Sequence, residues 1–278
     1  MSGIMFERVG IVGLGLIGAS FGLALRGRGV AGWVIGVDRD AGAIATARRR
    51  GAVDEGATDH AALEGADLVI VAVPPQSVVD AVLRAARVAR PEAILLDVAS
   101  VKGPIVRALE AALHEGARFV GGHPMAGTER QGGAGADAAL LAGRPFLIIP
   151  TARSDADAVD AVRALVRALG MRALLLDAGV HDSIAAQVSH VQYLLAVAAV
   201  NAAGDEALGL GGPAFDALRR VAGSPVELWV EICTENRGAI LRALGWVRDE
   251  LDRLERALRE GELSEVLHAA HRRAGVGG

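Results

Sequence analysis

Residues 10–18 read "GIVGLGLIG", an apolar run that breaks into regularly spaced glycines: Gly13-Leu14-Gly15-Leu16-Ile17-Gly18. A G-x-G-x-x-G that leaves a strand and opens a helix has a physical reading. The first glycine makes the tight turn, the second lets backbone approach a pyrophosphate, and the third lets the helix pack closely on the strand. The helix N-terminus then offers unpaired N–H groups to phosphates. With Arg8 in front, the same stretch superficially resembles a signal sequence. Glycines at 10, 13, 15, 18 and 22 make it a poor membrane helix.

Working outward, "WVIGVD" (33–38) reads as the next strand and ends on Asp38, where a carboxylate can hold the adenosine ribose hydroxyls. That acid repels a 2′-phosphate and favours NAD, while the neighbouring Arg39 leaves NADP open. Val73 and Pro74, in "VAVPPQ" (71–76), and Ser100, in "DVASVKG" (97–103), complete the expected cofactor-binding set of Gly13, Gly15, Leu16, Ile17, Gly18, Asp38 and Arg39.

Further apolar runs at 67–73, 93–98, 118–122, 145–150 and 172–178 alternate with amphipathic segments at 40–50, 76–89, 103–115 and 155–169. This pattern predicts an α/β fold, a Rossmann-type, mostly parallel sheet covered on both faces. From residue 179 the strand signals stop, and helical patterns follow at 180–203, 212–222, 225–244, 246–259 and 262–273. The expected division is 1–178, an NAD-binding Rossmann domain, and 179–278, an all-helical domain.

Composition narrows the function. The chain has 278 residues, 52% hydrophobic and 22% charged, with a formal net charge of −4, so no global basic field draws it to nucleic acid or an anionic membrane. One cysteine, Cys233, excludes internal disulfides and thiolate clusters and fits a cytoplasmic setting; in "ELWVEICTEN" it reads as a small helix filler. The apolar run 184–203 carries Gln187, Ser189, His190, Gln192 and Asn201, as a buried helix does and a bilayer span does not. His268 and His271 lie near Glu265 without a fourth ligand, so no metal is expected.

Ligands of open parallel sheets gather at the strands' carboxyl ends. There "GGHPMAGTE" (121–129) sets His123 between two glycines and Pro124. A neutral imidazole so held can take the proton from a carbinol while hydride departs to NAD. Ser100 either orients that imidazole or caps the helix after it. Lys102 adds positive charge near an anion.

"GLGLIGAS", "DVASVK", "GGHPMAGTE" and the later "SH" and "RVA…W" segments together resemble the prephenate dehydrogenase family, which includes arogenate dehydrogenases. The resemblance runs from about residue 8 to 245. It implies oxidative decarboxylation of prephenate to 4-hydroxyphenylpyruvate or of arogenate to tyrosine, a homodimer, and a Rossmann domain followed by a helical dimerisation domain. It makes His123 the partner of the ring hydroxyl, sets Ser100 beside it and the nicotinamide, and puts Glu129 near the entrance. It matches Arg220 to an arginine for the ring carboxylate, Trp229 to a tryptophan that reaches the neighbouring subunit's site, and Ser189 and His190 to the start of an S-H-x-P-H stretch. Four positions depart: Tyr193 and Gln192 replace that stretch's last histidine and its proline, Ala217 replaces an acid, and Ala99 a glycine. Tyr193 sits at the end of the pocket that separates prephenate from arogenate.

Rival readings are a 3-hydroxyacid or imine-reducing dehydrogenase, which typically uses a lysine from its helical domain, and an NAD-sensing protein without turnover. No lysine occurs from residue 179 onward. No room is expected for a fused chorismate mutase or a regulatory domain, so any tyrosine feedback acts at the active site.

Overall fold

Val9 and Ile11 pack into one hydrophobic layer and Val12 into another, which is why the first strand reads as continuously apolar. The computed structural model describes residues 3–128, 130 and 132–275. Its strands are β1 (Phe6–Val12), β2 (Ala31–Val37), β3 (Glu55–Ala57), β4 (Leu68–Val71), β5 (Ile94–Asp97), β6 (Arg118–Pro124), β7 (Pro145–Ile149) and β8 (Arg172–Leu175). They form a single sheet in the order β3-β2-β1-β4-β5-β6-β7-β8. All pairings are parallel except β6 with β7. The seven apolar runs all become strands. The eighth, β3, is the short "EGA", which has no fully buried residue and is held by pairing with Ile35–Val37.

Helices α1 (Leu16–Arg28), α2 (Ala41–Arg49), α3 (Val78–Val88), α4 (Gly103–Ala112) and α5 (Ala156–Ala168) cover the two faces. α1 and α5 contribute Phe21, Leu25, Val162 and Leu165 to one layer; α3 and α4 contribute Val82, Ala85, Ile105 and Leu109 to the other. Asp40 and Asp155 cap α2 and α5, accepting from Gly42 N and Ala158 N at 2.8 and 2.6 Å.

After β8, Asp177 caps α6 (Ala178–Ala185) through Gly179 N and Val180 N. A π-helical turn, Ala186–His190, joins α6 to α7 (Val191–Ala202). The predicted helix over 180–203 is therefore continuous but contains one wide turn, a feature that often lies at functional sites. Helices α8 (Asp205–Gly209), α9 (Pro213–Ala222), α10 (Val226–Glu235), α11 (Arg237–Glu260) and α12 (Leu263–Arg273) follow. The expected break near residue 245 falls instead at the buried Asn236. Gly245 sits inside α11, where a side chain would meet nothing within 4 Å, and a glycine costs a long helix only about 1 kcal/mol.

The helical part is poorly covered by itself. Its own hydrophobic cluster is small, built on the buried Ala186, Val191, Ala239, Ile240 and Ala243, and no residue of α9 is buried. Val226, Leu241 and Leu258 are each more than 60% exposed, and Trp246 is 55% exposed. The continuous helix Ala178–Ala202 is long and apolar enough to cross a membrane by length and composition. It also carries the buried His181, Asp182 and His190, all hydrogen-bonded within the protein.

Candidate active site

β1 lies between β2 and β4, so the sheet's order turns back at its carboxyl end, where crevices of such sheets form. Gly13 has φ +91°, and a Cβ there would come within 2.4 Å of Ala72 O. At Gly18 a Cβ would lie 1.9 Å from Gly13 O. Both glycines are demanded by the fold itself. Gly15 is not: its backbone is extended, and an added Cβ meets nothing within 4 Å. That empty space lies directly before α1, whose N-terminus has no side-chain cap and no acid in its first turn, with Leu16 and Ile17 half-buried. Unpaired N–H groups beside an open glycine fit a phosphate-bearing ligand.

Asp38 accepts from Leu14 N at 2.7 Å and from Asp40 N at 2.9 Å, fixing the glycine loop against the end of β2. Each bond uses one lone pair of a carboxylate oxygen, which leaves acceptor capacity for hydroxyls. Arg39 and Pro74 are exposed and Val73 is half-buried.

At the end of β5, Asp97 pairs with the wholly buried Lys102, whose Nζ also donates to Gly122 O at 2.7 Å. Burial pulls the Lys102 pKa below its usual value, opposed by the Asp97 charge. The expectation that Lys102 meets a bound anion is thus corrected: its ammonium is engaged inside the protein, under the strand that carries His123. Gly122 is required by the packing around it, since a Cβ there would lie 2.6 Å from the Phe146 ring and 2.8 Å from Asp97 O.

His123 is the penultimate residue of β6, paired with Leu147, and is buried. Its Nδ1 lies 2.8 Å from Nε2 of His181, whose Nδ1 lies 2.9 Å from Oδ1 of Asp182. Burial pushes the His123 pKa well below its ordinary value, and His181, Lys102 and His190 push it the same way. Asp182 also accepts from Lys102 N and Gly103 N, both at 2.8 Å, and so caps α4 from the helical part of the chain. Against burial, which alone would raise it, the hydrogen bonds from His181 and these two amides hold the Asp182 carboxyl below its usual range.

The half-buried Ser100 neither caps α4 nor hydrogen-bonds either His123 ring nitrogen; α4 starts at Gly103 and is capped by Asp182. The residue that meets His123 is His181, absent from the expected set. Its sequence signal is an adjacent His–Asp pair in an otherwise apolar, uncharged helix start, "AGVHDSIAA".

Asn236, at the break between α10 and α11, donates through Nδ2 to Asp182 O at 2.8 Å and reaches His190 Nδ1 at 3.2 Å. His190 ends the π turn; burial lowers its pKa to about 4. With Nδ1 accepting from Asn236, Nε2 of the neutral ring carries the proton, and this buried atom has no partner among the described residues. Such an orphaned donor points to a group not present here. The Trp229 ring stands edge-on to His190 and stacks on Tyr193 at 3.9 Å with planes 2° apart. Trp229 thus packs on aromatic rings of its own chain. Ser189 is half-buried in the π turn, and Arg220 is exposed on the last turn of α9, which packs against α7. Glu129 lies outside the described residues.

Two family models account for nearly the whole chain: the prephenate dehydrogenase nucleotide-binding domain matches residues 21–175 and the prephenate dehydrogenase dimerization domain matches residues 177–271. The chain belongs to the prephenate dehydrogenase family. The probable prephenate dehydrogenase NovF of Streptomyces niveus is 32% identical over 265 residues, 92% of this chain and 71% of the relative. Among solved structures, the prephenate dehydrogenase of A. aeolicus in complex with hydroxyphenyl propionate and NAD+ superposes with a TM-score of 0.90 at 29% identity, covering 98% of each chain. Synechocystis arogenate dehydrogenase superposes with a TM-score of 0.79 at 31% identity, covering 97% of this chain and 98% of its own.

Proposed function

We propose that this protein is an NAD-dependent prephenate dehydrogenase, converting prephenate to 4-hydroxyphenylpyruvate and carbon dioxide for tyrosine synthesis in the cytoplasm. The single observation that carries the proposal is a buried imidazole, His123, kept neutral at the carboxyl edge of a nucleotide-binding sheet. Family membership supports it, as does the relative solved with NAD+ and a hydroxyphenyl acid.

Gly13, Gly15 and Gly18 would hold the NAD pyrophosphate with the N–H groups of Leu16 and Ile17, and Asp38 the ribose hydroxyls, with Arg39, Val73, Pro74 and Ser100 around the remainder. NAD held by these residues would supply the acceptor for the hydride of the ring carbon that bears the hydroxyl. His123 takes the hydroxyl proton as a neutral base. The ring carboxylate then leaves as carbon dioxide, its bonding electrons complete the aromatic ring, and the resulting phenolate oxygen regains the proton from His123. Aromatisation drives the reaction, so the protein's task is to orient the substrate and receive a proton. His190, a buried N–H donor with no acceptor among the described residues, would bind an oxygen of the substrate. Arg220 would hold the ring carboxylate, and Glu129, Ser189, Tyr193 and Trp229 would shape the rest of the pocket. The same reading divides the chain into a cofactor unit, 1–178, and a substrate and dimerisation unit, 179–278, acting as a homodimer without nucleic acid, membrane or metal.

A second reading, arogenate dehydrogenase, is favoured by Tyr193 and by the likeness to the Synechocystis enzyme. The rings of Tyr193 and Trp229 stack where the family pattern has a histidine, which changes how that end of the pocket treats an amino acid rather than a keto acid. Parallel assays of NADH absorbance with prephenate and with arogenate, each with NAD and NADP, decide. We expect turnover of prephenate with NAD. Turnover of arogenate alone would select the second reading, and turnover of neither would refute both.

A further inference from the structure

We propose that His181, backed by Asp182, is a positioning residue that fixes His123 in its Nδ1–H tautomer and so reserves Nε2 as the atom that takes the substrate proton. The proposal rests on the reading of His123 as the base. It names two residues of the helical part that direct the chemistry of a residue on the sheet.

The inference follows from hydrogen-bond direction. Asp182 is ionised, because two backbone N–H groups and a ring nitrogen converge on it. An ionised carboxylate only accepts. His181 Nδ1, 2.9 Å away, must therefore carry the proton. In a neutral ring this leaves His181 Nε2 as an acceptor. His123 Nδ1 lies 2.8 Å from that nitrogen and must be its donor. The one remaining site on His123 is Nε2, an open lone pair. When Nε2 takes a proton, the resulting imidazolium donates to His181, whose far side meets the Asp182 carboxylate.

The surroundings make this arrangement the favoured one. The groups facing His123 are His181 from α6, His190 from the π turn and Lys102 from the segment after β5, whose charge is paired with Asp97. Among the described residues, only His181 is within hydrogen-bond distance of the ring. Asp182 is the carboxylate hydrogen-bonded to His181, and its second oxygen is tied to Gly103 N, so its position is set by the start of α4. Because α6 supplies His181 and Asp182 while β6 supplies His123, the base is complete only when the two parts of the chain are docked.

Two measurements test this. In long-range proton–nitrogen correlation spectra of the wild-type protein near pH 7.5, His123 should show a protonated Nδ1 and a bare Nε2. The reverse tautomer would overturn the proposal, and this readout needs no turnover, so it stands apart from the substrate assignment. Kinetically, His181→Leu should lower kcat roughly 100-fold, with KM for substrate and affinity for NAD within about threefold of wild type. His181→Gln, whose side-chain carbonyl can still accept from Nδ1–H, should regain activity to within about tenfold of wild type. An unchanged kcat in His181→Leu, or a loss that His181→Gln does not repair, would overturn the proposal. If His181→Leu does not fold, the spectrum decides.

Discussion

His123 illustrates how burial selects a protonation state. An exposed imidazole titrates near 6.5, which alone would put the loss of activity close to neutral pH. Here burial, with His181, Lys102 and His190 nearby, pushes the value well down. A base must be unprotonated to act, so a lowered pKa extends activity toward acid. We expect the acid limb of kcat/KM, which reports the free enzyme, to lie clearly below pH 6.5. A pH profile whose acid limb is centred at 6.5 or above would contradict this. At the same scale, the sequence made His123 legible through its glycine and proline neighbours, and left its partner hidden. His181 is 58 positions away, and only the docking of α6 against β6 joins them. Local spacing points to Ser100, yet the hydrogen bond goes to His181, whose adjacent His–Asp pair marks it as unusual without saying which residue it meets.

At the scale of elements, the glycine loop separates what the fold needs from what a ligand needs. Gly18 has no room for a Cβ, with Gly13 O at 1.9 Å, whereas Gly15 opens onto empty space. Gly18→Ala should therefore destabilise the protein by about 1–3 kcal/mol, the usual cost of forcing a group into a packed site. Gly15→Val should leave urea unfolding nearly unchanged and weaken NAD binding at least tenfold, measured by fluorescence titration. Equal NAD affinity in Gly15→Val would remove the loop from the cofactor site. Element types were readable because apolar runs such as 67–73 and 93–98 have no helical alternative. β3 was not, because its three residues gain their strand form only from β2. Nor was the π turn, since a single wide turn leaves the apolar pattern of 184–203 intact, while the break at Asn236 follows from its hydrogen bonds to Asp182 and His190.

For the whole molecule, the sheet and the helices differ in how completely they bury themselves. Strands β1, β4 and β5 have nearly every side chain covered, whereas α9, α10 and α11 present Leu218, Val226, Leu241 and Trp246 to solvent in a single chain. That much apolar surface marks an interface. Light scattering should give the mass of two chains, and Leu241→Glu with Trp246→Glu should reduce it to one; a monomeric wild type would contradict the assembly. The two-part architecture was legible from where strand signals end, because no segment after residue 179 carries strand periodicity. The meeting of the parts at His123, His181 and Asp182 was not, being a property of tertiary packing.

The account turns on whether His123 moves the proton while NAD is reduced. The most direct measurement is the rate of NADH formation from prephenate by wild-type protein and by His123→Asn, at saturating NAD and with NAD affinity measured alongside. We predict steady turnover by the wild type and a loss of about 10²–10⁴ in kcat for the variant, the usual contribution of a positioned base, with NAD affinity preserved. Wild-type turnover that survives unchanged in His123→Asn would contradict the account.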